Sequence, residues 1–295
     1  MIGHQDGVKA EILGFAGPIL PCLSLRRAEH LEPKTKWPTR HAQSLRGAWD
    51  RHSGPGRRGS PESEPTTSLI ILVGVGSVLR TREVIDRLLG EGTAVARSDR
   101  TSHSLFPVAI NAAEGEALRE WVKREQATHT IEIGLGYGIA ALFTCDGLLA
   151  NGDATARHVV VDPNQSTRFA NCGLQFLDEA GVAELVEYHP QGSETALPRF
   201  LTEGRSFDLA FIDGNHRFDG VFLDLIYLGR LVHPGGILFV DDYQLPSITR
   251  AVSYCTTNLG WKVEEVSTDD DLHHWAVLRT AHIPPERPFD HYVDF

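Results

Sequence analysis

Short apolar runs, each followed by a stretch of helical periodicity, recur across residues 129–241, and no other feature restricts the fold so far. In His158-Val159-Val160-Val161 and Gly236-Ile237-Leu238-Phe239-Val240 the apolar residues are consecutive and do not alternate with polar ones. Strands of that kind are buried on both faces, as in a parallel sheet between layers of helices. The pattern predicts strands at 129–134, 157–162, 184–189, 207–213 and 235–241. Helices are expected at 113–126, 137–150, 166–181, 194–202 and 217–231. The class is α/β, a doubly wound, Rossmann-like sheet.

The rhythm breaks near the C-terminus. After a helix at about 247–259, Trp261–Val266 and His274–Arg279 flank the turn-forming Asp269-Asp270-Asp271, so two strands meet as a hairpin without a helix between them. A mostly parallel sheet with one antiparallel C-terminal strand follows.

Three regions are expected. Residues 1–66 are rich in Pro, Gly, Ser, Arg and His and carry no period of 2 or 3.6, so they read as a disordered basic extension. Residues 67–112 form an N-terminal helical or lid segment. Within it Val84, Leu88 and Leu89 share one helical face over 81–90, with Gly90 as the C-cap. Residues 113–295 carry the α/β domain.

Composition narrows the function classes. Residues 1–66 hold ten Lys/Arg against seven Asp/Glu, which leaves −14 of the net −11 on residues 67–295. An acidic folded part repels phosphate backbones and anionic membranes, so neither nucleic acid nor a membrane is expected as partner. The longest apolar run, Leu69 to Leu79, is shorter than the ~20 residues a spanning helix needs. Cys22, Cys145, Cys172 and Cys255 form no CxxC or Cys/His cluster, which points to reduced thiols and a cytoplasmic location. A small-molecule substrate is the expected partner, and a homodimer stays open.

Two motifs mark a cofactor cleft. Glu132-Ile133-Gly134-Leu135-Gly136-Tyr137-Gly138 lies where a strand gives way to a helix, and its glycines let the backbone turn tightly beneath a ligand over the helix N-terminus. Glu132 would repel a pyrophosphate and suits a cationic cofactor, although a purely structural turn has the same sequence. Asp162 ends the next strand, 28 residues after Gly134, where a carboxylate accepts from the two ribose hydroxyls of an adenosine-containing cofactor or caps the following helix. Gly74-Val75-Gly76 lacks such a following acid.

A third set points to a metal. Asp213 ends one strand and Asp241-Asp242 end the next, and successive parallel strands deliver their C-terminal residues to one edge. Three converging carboxylates suit Mg²⁺, a hard cation that prefers oxygen. The alternative is that these residues cap helices or hold a loop. Tyr243, Trp261 and Trp275 are either acceptor-pocket or core residues.

Ala113-Glu114-Gly115-Glu116-Ala117-Leu118, Glu132-Ile133-Gly134, Ala180-Gly181-Val182, Phe207-Asp208-Leu209 and Gly235-Gly236 occur in the order found in the catechol and caffeoyl-CoA O-methyltransferases. Over residues 105–280 the chain thus resembles the class I S-adenosylmethionine-dependent methyltransferases. The resemblance implies cofactor contacts from Glu132, Gly134, Gly136, Tyr137, Gly138, Asp162 and Asp213, with Ser193 and Glu194 beside the adenine. It implies metal ligation by Asp213, Asp241 and Asp242, and a base three residues after the first Asp, which is His216. The catechol type has lysine at the base and Asp-Asn at the pair. The His and Asp-Asp of this chain look more like the macrolide-sugar enzymes, which makes a sugar or diol hydroxyl the expected acceptor. A metal-independent N- or O-methyltransferase and a non-catalytic adenosyl-binding relative are the alternatives.

Overall fold

In β4 (Arg157–Val161) the side chains of Val159 and Val161 enter one hydrophobic cluster and that of Val160 enters the other. The same division runs through β6 (Phe207–Ile212) and β7 (Val232–Val240): Leu209, Phe211, Ile237 and Phe239 face one way, Ala210, Ile212, Leu238 and Val240 the other. Consecutive apolar residues therefore fill two cores, one on each face of the sheet. The computed structural model describes residues 67–267 and 274–295, with side chains from Leu79 onward. The expected extension over 1–66, Cys22 and the Asp269-Asp270-Asp271 turn lie outside the described residues.

The seven-stranded sheet has the order β5-β4-β3-β6-β7-β9-β8, with β3 at His129–Ile133, β5 at Val186–His189, β8 at Lys262–Val266 and β9 at Ala276–Arg279. Pairings β3/β4, β4/β5, β3/β6 and β6/β7 are parallel, while β9 runs antiparallel to both β7 and β8. One strand, β9, opposes the other six. The chain winds from β3 outward to β5 and returns to β6 on the far side of β3, so the switch point lies between β3 and its neighbours, where ligands bind in open α/β sheets.

Helices α2 (Ala112–Arg124), α3 (Ile139–Asn151) and α4 (Cys172–Glu179) cover one face. The other is covered by α5 (Ser193–Thr202), α6 (Phe218–Leu231) and α7 (Pro246–Leu259). In α2 the Asn111 side chain caps the first turn by accepting from the Glu114 N–H at 2.9 Å, and Leu118, Trp121 and Val122 form its buried stripe. A helix α1 (Thr67–Glu91) packs on α3 through Val84, Ile85 and Leu88, and Arg82 Nε donates to Asp146 Oδ2 at 2.8 Å.

Three local expectations need correction, and one small hairpin goes unmarked in the sequence. The N-terminal helix begins before residue 81 and ends at Glu91, where Gly92 with a φ of +64° stops it, and Gly90 is not its cap. It is followed by a small hairpin, β1 (Thr93–Val95) with β2 (Ser102–Ser104), which no sequence period marks. The helix expected from 137 starts at Ile139, because Gly134, Gly136 and Gly138 all hold positive φ. The helix expected over 166–181 spans only Cys172–Glu179, since Ala170 and Asn171 adopt left-handed φ values of 49° and 58°. Trp261 and Trp275 are core residues, Trp275 stacking on Phe239 at 6.2 Å.

Candidate active site

The glycine turn is built against the tip of β6. A Cβ at Gly134, where φ is +93°, would stand 1.9 Å from the Asp213 carbonyl oxygen, so only glycine lets the two strand ends meet. Asp162, almost fully buried, closes the same turn: Oδ2 accepts from the N–H groups of Leu135 and Gly136, each at 3.2 Å, and from Gln165 Nε2 at 2.8 Å. Its Oδ1 accepts from the Asn164 N–H at 2.7 Å. The structure thus gives Asp162 a loop-closing role beside whatever it offers a ribose. Gly134, Gly136, Tyr137 and Asp213 line a cleft together with Val108 and Ile110 from the loop before α2. Tyr137 is held edge-on by Phe169 at 5.2 Å. Ser193 and Glu194 lie at the N-terminus of α5, and the Glu194 carboxylate folds back over Gly192, within 2.2 Å of where a Cβ would be.

Asp213 and Asp242 converge on His216. The imidazole Nε2 lies 3.2 Å from Asp213 Oδ1 and its Nδ1 3.0 Å from Asp242 Oδ2. Ligand atoms of these three residues lie within 4.8 Å of one another. The hydrogen bond to Asp213 raises the His216 pKa, the Asp242 charge adds to this, and partial burial opposes it. Burial pushes Asp213 itself up to about 6, against the pull of His216.

Asp241 lies beside this group but is not among the three residues whose ligand atoms meet within 4.8 Å. It is buried, accepts the Asp242 N–H on Oδ1 at 2.5 Å, and is pushed up to about 7, first by burial and then by Asp213 and Asp242. Glu114 of α2 faces it. Neither Glu114 oxygen accepts from an N–H or O–H donor among the described residues, and burial followed by Asp241 pushes this carboxyl up to about 10. Two facing carboxyls are compatible only when a proton or a cation lies between them. The sequence carried a signal for Glu114 that spacing alone exposes: it precedes Leu118, Trp121 and Val122 by four, seven and eight positions, which places an acid on the buried stripe of α2. Four carboxyls in a desolvated cluster fit a hard divalent cation.

Glu132, expected to face a cationic ligand, is fully buried at the end of β3, its Oε2 3.0 Å from His158 Nε2. His158 was not singled out by the sequence because it sits inside an apolar run.

A methyltransferase-domain family model matches residues 131–243, which reach from the glycine turn to the Asp241-Asp242 pair. The caffeoyl-CoA O-methyltransferase of Stellaria longipes is 24% identical over 200 residues, 64% of this chain and 77% of the relative. Tricin synthase 1 of Oryza sativa subsp. japonica is 28% identical over 149 residues, 47% of this chain and 57% of its own length. Residues 131–243 thus carry a methyltransferase domain, and the chain is similar to S-adenosylmethionine-dependent O-methyltransferases.

Solved structures agree on the fold of this methyltransferase. The O-methyltransferase TomG from Streptomyces achromogenes, involved in tomaymycin synthesis and solved with S-adenosylmethionine, superposes with a TM-score of 0.52 at 19% identity, covering 75% of this chain and 100% of its own. An O-methyltransferase from Bacillus cereus in complex with SAH gives 0.52 at 15% identity, covering 68% and 90%. Among the described residues the methyltransferase has no helix long and apolar enough to cross a membrane.

Proposed function

We propose that the methyltransferase transfers the sulfonium methyl group to a small-molecule hydroxyl, on a sugar, a vicinal diol or a related natural-product-like acceptor, with Mg²⁺ as cofactor. The observation that carries this is the meeting of Asp213, Asp242 and His216 within 4.8 Å, at the strand edge where Asp213 also touches the glycine turn. Asp213, Asp241 and Asp242 would hold the cation. When bound, Mg²⁺ lowers the pKa of a coordinated hydroxyl and cancels carboxylate charge. His216, between Asp213 and Asp242, would serve as the base that takes the acceptor's proton. Gly134, Gly136 and Gly138 bring the backbone close to the methionine end of S-adenosylmethionine, and Glu132 supplies a carboxylate for its cationic end. Asp162 stands by the ribose, and Ser193 and Glu194 by the adenine. Positioning supplies most of the rate, since the methyl is already activated.

The lining of the cleft by Val108 and Ile110 supports residues 67–112 as the segment that closes it and 113–295 as the catalytic domain. The acidic charge of residues 67–295 supports a small-molecule acceptor and no nucleic acid, the free buried thiols of Cys145, Cys172 and Cys255 support a cytoplasmic protein, and a homodimer stays open.

A second reading has its own support: an imidazolium between two carboxylates already offsets one of their two charges, so a metal-independent transfer with a His–Asp base is the alternative. Turnover of a panel of diols, sugars and catechols with and without EDTA decides between them. The metal reading expects chelation to abolish turnover while cofactor binding survives, and His216→Ala to lower kcat ~10²–10⁴-fold. Full turnover in EDTA with a competent acceptor overturns it.

A further inference from the structure

We infer that His158, backed by Thr130, is a positioning residue that holds Glu132 as the acceptor for the cationic end of the cofactor. The inference rests on the reading that this cleft takes S-adenosylmethionine. Three fully buried side chains on adjacent parallel strands form one chain: Thr130 Oγ1 lies 2.9 Å from His158 Nδ1, and His158 Nε2 lies 3.0 Å from Glu132 Oε2. The pairing of β3 with β4 places Thr130 opposite His158 and leaves Glu132 one pleat further along the same face.

The surroundings leave Glu132 dependent on this contact. Asp162 at the tip of β4 and Asp213 at the tip of β6 face it as like charges, and the Cys145 thiol of α3 faces it with Asp146 beside it. None of these stabilises a carboxylate. Among the described residues His158 gives Glu132 its one hydrogen bond, and Glu132 Oε1 has no partner. Burial holds the imidazole neutral, its pKa pushed down to about 3, so it carries one N–H and one lone pair.

Such a chain has two polarities. In one, the Thr130 hydroxyl donates to Nδ1 and the Nε2–H donates to an ionised Glu132. In the other, a protonated Glu132 donates to Nε2, and the Nδ1–H donates to Thr130. Passing from the second to the first releases one proton to water and moves no heavy atom. A cation at Oε1 selects the first. An N–H donated to the carboxylate favours its ionised form, so removing the Nε2–H of His158 raises the pH at which Glu132 ionises and weakens its hold on a cation below that pH.

Calorimetric titration of S-adenosylmethionine between pH 6 and 9, with thermal melts as a control on folding, tests this. His158→Leu removes the donor and should weaken binding at pH 7 about 10- to 100-fold, the worth of a hydrogen bond to a charged group, with affinity recovering as pH rises. His158→Gln restores an N–H toward Glu132 and should bind within a few-fold of wild type. Thr130→Val, which keeps shape and strand preference, should show a smaller loss with the same pH trend, and it carries the test if the leucine variant does not fold. Wild-type affinity across the range in the folded leucine variant, or in Thr130→Val where the leucine variant does not fold, overturns the inference. So does an equal, pH-independent loss in the leucine and glutamine variants. A wild-type chain that binds no S-adenosylmethionine removes the cofactor reading and this inference with it.

Discussion

Asp224 is fully buried on α6, against the Ser193 hydroxyl at the start of α5, and its Oδ2 lies 3.7 Å from where a Cβ would stand on Gly214. Burial pushes its pKa up to about 6, and the Ser193 hydroxyl offsets only part of this. A carboxyl with a raised pKa in the folded state contributes its stability below the unfolded value near 4, and that contribution is lost as pH rises through 6. Asp224→Asn should therefore melt above wild type at pH 7.5, by up to about 3 kcal/mol, with the gap narrowing as pH falls toward 4. A variant that melts lower at every pH shows that ionised Asp224 has a cation partner instead. The sequence shows Asp224 only as an acid in a helix, because its burial depends on α5 and the Gly214 loop arriving from elsewhere. The same holds for His158 and for the pairing of Glu114 with Asp241, each made by strands or helices distant in sequence. Asp213, Asp241 and Asp242 are visible because strand ends are local, whereas His216 is marked only by the resemblance to the O-methyltransferases.

At the scale of elements, the turn from β3 into α3 decides whether a site exists. Gly134 and Gly152 both hold positive φ, +93° and +74°, but nothing lies within 4 Å of a Cβ at Gly152, the C-cap of α3. Gly152→Ala should cost about 1–2 kcal/mol, the price of a left-handed alanine, and leave cofactor affinity unchanged. Gly134→Ala meets the same cost and a backbone oxygen 1.9 Å away, so the tips of β3 and β6 must part. Denaturant melts should show the larger loss for Gly134→Ala, and calorimetry the loss of cofactor binding in that variant alone. Equal losses in both variants count against the close approach. Strand positions were legible from sequence because consecutive apolar residues leave few alternatives once both faces are covered. The helix expected over 166–181 is shorter because Ala170 and Asn171 take left-handed conformations to serve Asp162 and Gln165: the Asn171 N–H donates to the Gln165 carbonyl oxygen at 2.7 Å, and Gln165 Nε2 donates to Gly136 O at 2.7 Å. A loop tied to a distant turn has no period of its own.

For the whole molecule, the described residues from Thr67 onward hold both core layers and every candidate site residue from Glu114 to Asp242. Their charge is also set apart: without residues 1–66 the net charge goes from −11 to −14, since that segment adds three positive charges. Opposite signs on two parts of one chain alter association and solubility more than they alter the fold. Deleting residues 1–66 should therefore shift the melting temperature by no more than about 2 °C, because the segment carries no apolar period with which to join the core. S-adenosylmethionine affinity should match that of the full chain, because the cleft draws its residues from Val108 onward. Paired melts and titrations of the full and truncated chains in the same buffer check both statements. A large fall in melting temperature shows that the extension shares the core, whereas a fall in affinity alone shows that it reaches the cleft and belongs to the closing segment.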